Sequence, residues 1–430
     1  AVARFDEFLT ALRNNLNDGV TRDDAIGMLS QHLITRPVFE ALFGGDQFTT
    51  SNPVSQVMQS MIDTLDDANL QSETATLEGF YEHIRMLIGG ITTPEARQKV
   101  ITELYEKFFK RALPQTVEAL GIVYTPIEIV DFINRSVNDL LVEHFDGTTL
   151  SDEGVHVLDP FTGTGTFITR LLQNGLIDPA DLARKYAYEL HANEIMLLAY
   201  YIAAINIETT YNTLTGTDSY QPFEGIVLTD TFQLAEDGDP MDAVFFPSNN
   251  ARADHQKGLD IRVIVGNPPY SVGQTSQNDN NRNLAYPTLD ESIADTYARR
   301  STATNKNSLY DSYIRAIRWA SNRVQDSPDG GIIGFVSNGG WIDGNTADGI
   351  RLTLPDEFHH IYIYNLRGNQ RTSGEQSRRE GGKVFGQGSR NTVAITLLVK
   401  KPGPVPSSGA QIHYQDIGDY HDRDTKLATI

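Results

Sequence analysis

Val155-His156-Val157-Leu158-Asp159-Pro160-Phe161-Thr162-Gly163-Thr164-Gly165-Thr166-Phe167 has the make-up of a short strand, an acidic strand end, a tight glycine turn and the first turn of a helix. From about residue 120 onward, similar β-branched runs alternate with helical stretches. Candidate strands are Ile226-Val227-Leu228, Ile261-Arg262-Val263-Ile264-Val265 and Ile332-Ile333-Gly334-Phe335-Val336. A later pair, residues 360–364 and 393–399, suits a terminal antiparallel hairpin. The alternation predicts an α/β fold built on a doubly wound sheet.

Residues 1–115 read differently. Apolar positions recur at helical spacing in Phe5-Phe8-Leu9-Leu12 and Tyr105-Phe108-Phe109-Leu113, so an all-α scaffold or coupler domain is expected there. Asn52-Pro53 and Thr93-Pro94 mark breaks or helix starts. The sheet domain is expected over 116–402. The polar stretch 271–308 reads as a long mobile loop, and the Pro- and Gly-rich stretch 401–409 as a linker. Residues 403–430 then read as linker plus the start of a further domain.

The 430 residues include no cysteine, which removes disulfides and thiolate metal sites and fits a cytoplasmic setting. The histidines have no zinc-type spacing, so no metal is expected. No apolar run reaches membrane-spanning length, and the first residues have neither a signal-peptide core nor an initiator methionine, as a processed or excised chain would lack. A net charge of −21 argues against nucleic acid in total, but distribution matters more than the sum. Residues 361–401 carry Arg367, Arg371, Arg378, Arg379, Lys383, Arg390, Lys400 and Lys401 against Glu375 and Glu380, a local +6. We read Arg367, Arg371, Arg378, Arg379, Lys383 and Arg390 as a polyanion-facing surface; a solvated loop is the plainer reading.

The glycine turn is a ligand cradle. Gly163 and Gly165 let the backbone turn and approach a ligand, and the following helix start supplies free amides. Nicotinamide dinucleotides use a similar turn, but Ile168 stands where their third glycine belongs. Asp159 would repel a pyrophosphate and suits the ammonium of S-adenosylmethionine. The expected cradle is Asp159, Phe161, Thr162, Gly163, Thr164, Gly165, Thr166 and Phe167. Glu194, at the end of a second strand, suits the ribose hydroxyls. After the third strand, Asp230 could accept from the cofactor adenine amine, with Thr231 beside it and Phe232 packing on the ring. Tyr124-Thr125-Pro126-Ile127-Glu128 has two readings: a capping box between Thr125 and Glu128, or backbone laid over the cofactor's methionine end. A phosphate-binding Gly-x-x-x-x-Gly-Lys-[Ser/Thr] motif is absent.

Strand 261–265 leads into Asn267-Pro268-Pro269-Tyr270, 108 residues after Asp159. Two prolines stiffen the backbone and remove two amide donors. The Asn267 side-chain oxygen and the Pro268 carbonyl then form fixed acceptors for an exocyclic amine, whose lone pair they localise for attack on a sulfonium methyl. Tyr270 offers a stacking face for a base flipped from a duplex. Methylation at cytosine C5 needs a thiolate nucleophile, and the chain has none.

Asp159-Pro160-Phe161-Thr162-Gly163-Thr164-Gly165 followed by Asn267-Pro268-Pro269-Tyr270, with Tyr124-Thr125-Pro126 ahead of both, resembles the γ-type N6-adenine DNA methyltransferases. Residues 331–341 and 364–371 resemble the methyltransferase part of single-polypeptide Type ISP restriction–modification enzymes. The resemblance implies a Rossmann-like S-adenosylmethionine-dependent sheet, an adenine-specific DNA methyltransferase activity on double-stranded DNA, and a helical coupler at the N-terminus. It also implies nuclease, helicase-like ATPase and target-recognition domains that these residues do not contain, the last following the sheet domain from about 403. Protein-glutamine N5, RNA or N4-cytosine methylation, and a non-catalytic DNA-binding assembly module, are the competing readings.

Overall fold

The glycine turn lies at the carboxyl end of a strand in the middle of an eight-stranded sheet. A computed structural model describes residues 2–43, 47–65, 125–216, 220–236, 244–269, 284–385 and 391–430, with the isolated positions 79, 82 and 86. The readings at Thr93-Pro94, 105–113, Tyr124, Tyr270, 271–283 and Arg390 fall outside these residues.

The strands are β1 (His156–Asp159), β2 (Leu190–Glu194), β3 (Ile226–Leu228), β4 (Ile261–Gly266), β5 (Gly331–Asn338), β6 (His360–Arg367), β7 (Val393–Lys400) and β8 (Gln411–Asp416). Their order is β3-β2-β1-β4-β5-β7-β6-β8. Strands β1 to β5 pair in parallel, while β7 inserts antiparallel between β5 and β6. The central strands are buried on both faces, as their unbroken apolar runs require. From β1 the chain moves outward to β2 and β3, then crosses to β4 on the other side. The switch point between β1 and β4 is where such sheets bind ligands.

Helices Ile127–His144, Thr166–Gln173 and Leu197–Thr215 share one apolar core with the N-terminal helices Val2–Asn15, Arg22–Phe43 and Pro53–Leu65. Helices Pro287–Ile293, Ser312–Gln325 and Asp348–Glu357 cover the opposite face. Leu197–Thr215 is buried nearly all round because the sheet takes one side and the N-terminal helices the other. Tyr200 receives a hydrogen bond from the Asn52 amide (3.1 Å), and the Tyr201 hydroxyl meets His32 Nδ1 (2.9 Å). Asn52 also caps the helix at Pro53: its Oδ1 accepts from the Val54 and Ser55 amides (3.1 and 3.0 Å).

Some expectations change. Within the expected loop 271–308, residues 287–298 are helical: Pro287–Ile293 is an α-helix and Ala294–Ala298 continues it as a π turn. Their buried anchors Tyr286, Leu289, Ile293 and Tyr297 supply the apolar face. Strands β6 and β7 pair antiparallel as expected, and the 25 residues between them include helix Gly374–Glu380. Where the sequence reads a linker and the start of a further domain, β8 adds to the same sheet beside β6, and helix Arg423–Thr429 follows it. The buried Lys426 ammonium fixes that helix by donating to the carbonyls of Glu380 and Gly382 (2.7 and 2.8 Å).

Candidate active site

Asp159 ends β1 completely buried. Its Oδ1 accepts the Phe161 amide (3.1 Å), and its Oδ2 has no partner. Burial, reinforced by the charge of Glu194, pushes its pKa up to about 8 against the pull of the Phe161 amide. An uncompensated carboxylate oxygen at the switch point is what a cationic ligand group would satisfy.

The turn that follows is held from below. Thr162 donates its amide to the Asn193 carbonyl (3.0 Å) and its hydroxyl to the Asp159 carbonyl (2.9 Å). Gly163 donates to Glu194 Oε2 (2.8 Å), and Asn206 donates to the Thr164 carbonyl (3.0 Å). Gly165 has φ +83°, and a Cβ there would lie 3.2 Å from the Ala203 backbone, so this position needs glycine twice over. Asn206 is a residue of this cradle that motif reading misses; its signal is a polar residue inside the apolar run Ala203-Ala204-Ile205-Asn206-Ile207.

Glu194 ends β2 as expected, with Oε1 accepting from the Met196 amide (2.8 Å) in addition to Gly163. Thr164 and Thr166 stay half-buried at the turn, their hydroxyls 3.3 Å apart, and the half-buried Phe161 packs edge-on against Phe232.

Other expected contacts go elsewhere. Phe167 and Phe232 are both buried: Phe167 joins the helix core, and Phe232 packs between Phe161 and Tyr286. Thr231 donates to the Pro160 carbonyl (2.7 Å), bracing the turn. Asp230 does not present a vacant acceptor to a ligand. Its Oδ1 caps helix Thr231–Leu234, while its Oδ2 accepts from Asn17 Nδ2 and the Tyr286 hydroxyl (both 2.8 Å). One buried carboxylate thereby ties the N-terminal helices, the end of β3 and the start of helix Pro287–Ile293. Burial still raises its pKa, although all four donors oppose this.

At the end of β4, Gly266 lies so close to β1 that a Cβ would sit 2.9 Å from Asp159 Oδ1. That oxygen is on a short, buried side chain already fixed by Phe161. Gly266→Ala is therefore expected to cost about 1–3 kcal/mol by overpacking, read as a lowered thermal midpoint. Next in the chain, Asn267 donates from Nδ2 to Thr125 Oγ1 (2.9 Å), and its Oδ1 is buried with no partner. Pro268 is buried and Pro269 half-buried behind it. Thr125 makes no cap bond to the helix it precedes, so the capping-box reading fails: Pro126 takes the N-cap position and Glu128 is exposed.

The basic loop leaves the carboxyl end of β6, which runs parallel to β4 and β5, and so emerges at the same sheet edge as Asn267. Part of its charge is consumed by the end of β8 and the segment after it. Arg367, at a β-bulge with φ +55°, bonds Asp416 (2.8 Å) and also Asp419. These carboxylates raise its pKa against burial, and we withdraw it from the polyanion-facing set. Arg379 faces Tyr420 and Asp419, which likewise hold its proton more tightly. Arg371 and Arg378 are exposed and Lys383 is half-buried. No group of three or more metal-ligating side chains occurs among the described residues, and no described helix is long and apolar enough to cross a membrane.

Comparison with known proteins agrees with both halves of the chain. The family model "Type ISP restriction-modification enzyme, coupler domain" matches residues 1–96, and "N-6 DNA Methylase" matches 96–299. A nuclease-deletion mutant of the Type ISP enzyme LlaGI, solved with a DNA substrate mimic, superposes with a TM-score of 0.91 at 50% identity, covering 99% of this chain and 34% of that one. The ATP-dependent Type ISP enzyme LlaBIII bound to DNA gives 0.92 at 48% identity, covering 100% and 28%. The DrdV–DNA complex gives 0.88 at 37% identity, covering 99% and 40%. The chain thus spans about a third of the length of these relatives. The curated proteins give no match.

Proposed function

We propose, from the premise that the chain belongs through its coupler and N-6 DNA methylase domains with the Type ISP restriction–modification enzymes, that it transfers a methyl group from S-adenosylmethionine to adenine N6 of double-stranded DNA. The target base is flipped from the duplex and its amine attacks in line, as the modification activity of a larger restriction–modification system. S-adenosylmethionine supplies an electrophilic sulfonium methyl and needs no covalent enzyme intermediate, which suits a chain without cysteine.

The observation that carries this reading is the unpartnered, buried Oδ1 of Asn267. Burying an acceptor without a donor costs about 1–3 kcal/mol, a cost removed when an N–H arrives from outside. The Pro268 carbonyl offers a second acceptor on the same rigid turn, and neither proline adds a competing donor. Two acceptors on the two N6 hydrogens draw the amine out of conjugation with the purine ring. The residues also fit the cofactor: Asp159 Oδ2 for its ammonium, Glu194 for its ribose hydroxyls, the Gly163–Gly165 turn for close approach. Tyr270 would stack the flipped base, and Tyr124 and Pro126 would border the methionine end.

Arg371, Arg378 and Lys383, with Arg390, hold the DNA backbone in this reading, while base reading and cleavage belong to target-recognition, nuclease and helicase-like ATPase partners. Arg371→Glu/Arg378→Glu/Lys383→Glu should weaken DNA binding more than about tenfold and flatten the log–log salt dependence by about three units of slope, measured by fluorescence anisotropy over a salt series. An unchanged slope would remove these residues from the interface. The class of acceptor is tested by offering methyl-labelled S-adenosylmethionine with mixed-sequence duplex DNA, RNA and release-factor-like protein together. Label in DNA supports the reading; label in protein glutamine or RNA replaces it.

A further inference from the structure

We infer that Thr125 is a positioning residue that orients the Asn267 side-chain amide, an inference that rests on the methyltransferase reading above. Thr125 stands 142 residues before Asn267, at the mouth of helix Ile127–His144, and is buried. Its position before a helix suggests a cap, yet its hydroxyl makes no bond to the helix; it accepts the Nδ2–H of Asn267 at 2.9 Å. The next residue, Pro126, has no N–H to compete for that oxygen.

The chemistry of an asparagine amide makes this contact consequential. Its two ends differ only in being acceptor or donor, and the torsion that exchanges them is broad and nearly two-fold. An amine substrate requires the oxygen end. With Nδ2 held by Thr125, Oδ1 is left buried where no protein group answers it. Without the hydroxyl, the amide is free to swing or to present its own N–H groups towards the incoming amine, donor against donor. Pro268 and Pro269 fix the backbone of the turn but leave this side-chain torsion open, so the rigidity of the tetrapeptide is incomplete without a residue from the far end of the domain.

The test compares Thr125→Val, which keeps the shape and loses the hydroxyl, with Thr125→Ser, which keeps the hydroxyl. Both are made in the natural polypeptide that carries this chain, alone and combined with Asn267→Ala. Thr125→Val is expected to slow single-turnover methyl transfer to DNA by about 10- to 100-fold, leaving the calorimetric affinity for S-adenosylmethionine unchanged. Thr125→Ser should restore the rate, and Thr125→Val should add nothing in the Asn267→Ala background, because both changes remove the same interaction. Weakened cofactor binding at an unchanged rate would overturn the inference in favour of a cofactor contact. A fully additive loss, or a lowered midpoint with equal losses in both backgrounds, would overturn it in favour of a scaffold role. If the unaltered protein methylates no adenine, the underlying reading has failed; if it does and Thr125→Val matches it, only the role of Thr125 has.

Discussion

Asn267→Ala should leave S-adenosylmethionine binding unchanged and slow methyl transfer to DNA by about 10²–10³-fold. The expectation follows from where the side chain points. Its Nδ2 is spent on Thr125, and its Oδ1, buried and unpartnered, is the acceptor the substrate amine would meet. Alanine removes that acceptor without touching Asp159, Glu194 or the glycine turn, so ground-state cofactor contacts persist while a contact made only with the reacting amine is lost. Single-turnover transfer beside calorimetric cofactor binding separates the two effects.

Asp159→Asn should weaken S-adenosylmethionine binding by about 100-fold while making the cofactor-free protein more stable at pH 8. The two effects share one cause. Burial raises the folded-state pKa of Asp159 to about 8, far above the value of about 4 in an unfolded chain. The group therefore retains its proton in the folded state over a range in which the unfolded chain has lost it. Its contribution to stability is fully present below about pH 4 and disappears as pH rises through 8. Asparagine, which is neutral throughout, removes that loss, so thermal midpoints of variant and wild type should agree near pH 4 and diverge in favour of the variant by pH 8. Cofactor binding has the opposite demand. The ammonium needs the ionised carboxylate, so affinity should rise between pH 6 and 8, and binding at pH 7 should release close to one proton, measurable as a dependence of the calorimetric enthalpy on buffer. Asp159→Asn should abolish that release. A variant that binds normally with unchanged proton release would remove Asp159 from the cofactor site.

The residues legible in the sequence were those whose chemistry is local. Asp159 through Gly165 declare strand, turn and helix within a few positions, and each strand quoted from the apolar runs lies within two or three residues of the observed one. What escaped depends on distant partners or on faces without contrast. Asp230 reads as an open carboxylate, and only the arrival of Asn17, 213 residues earlier, shows that it is already engaged. Thr125 reads as a cap until Asn267 takes its hydroxyl. Strand β8 follows a Pro- and Gly-rich stretch and has only Ile412 and Tyr414 as apolar residues, both exposed at the sheet's edge, so the alternation is too short to mark a buried face. The helix at 287–298 is hidden by its polar composition, although Tyr286, Leu289, Ile293 and Tyr297 carry a spacing of three, four and four. Arg367 shows the limit of counting charge: a local excess along the chain is partly cancelled by Asp416 and Asp419 across it.

The central claim concerns one atom of one base, and it is settled by digesting DNA modified by this protein in the presence of methyl-labelled S-adenosylmethionine to single nucleosides and finding the label. The arrangement at Asn267 predicts that it is recovered in N6-methyladenine. Recovery in N4- or C5-methylcytosine, or on the protein with none in DNA, would contradict the account.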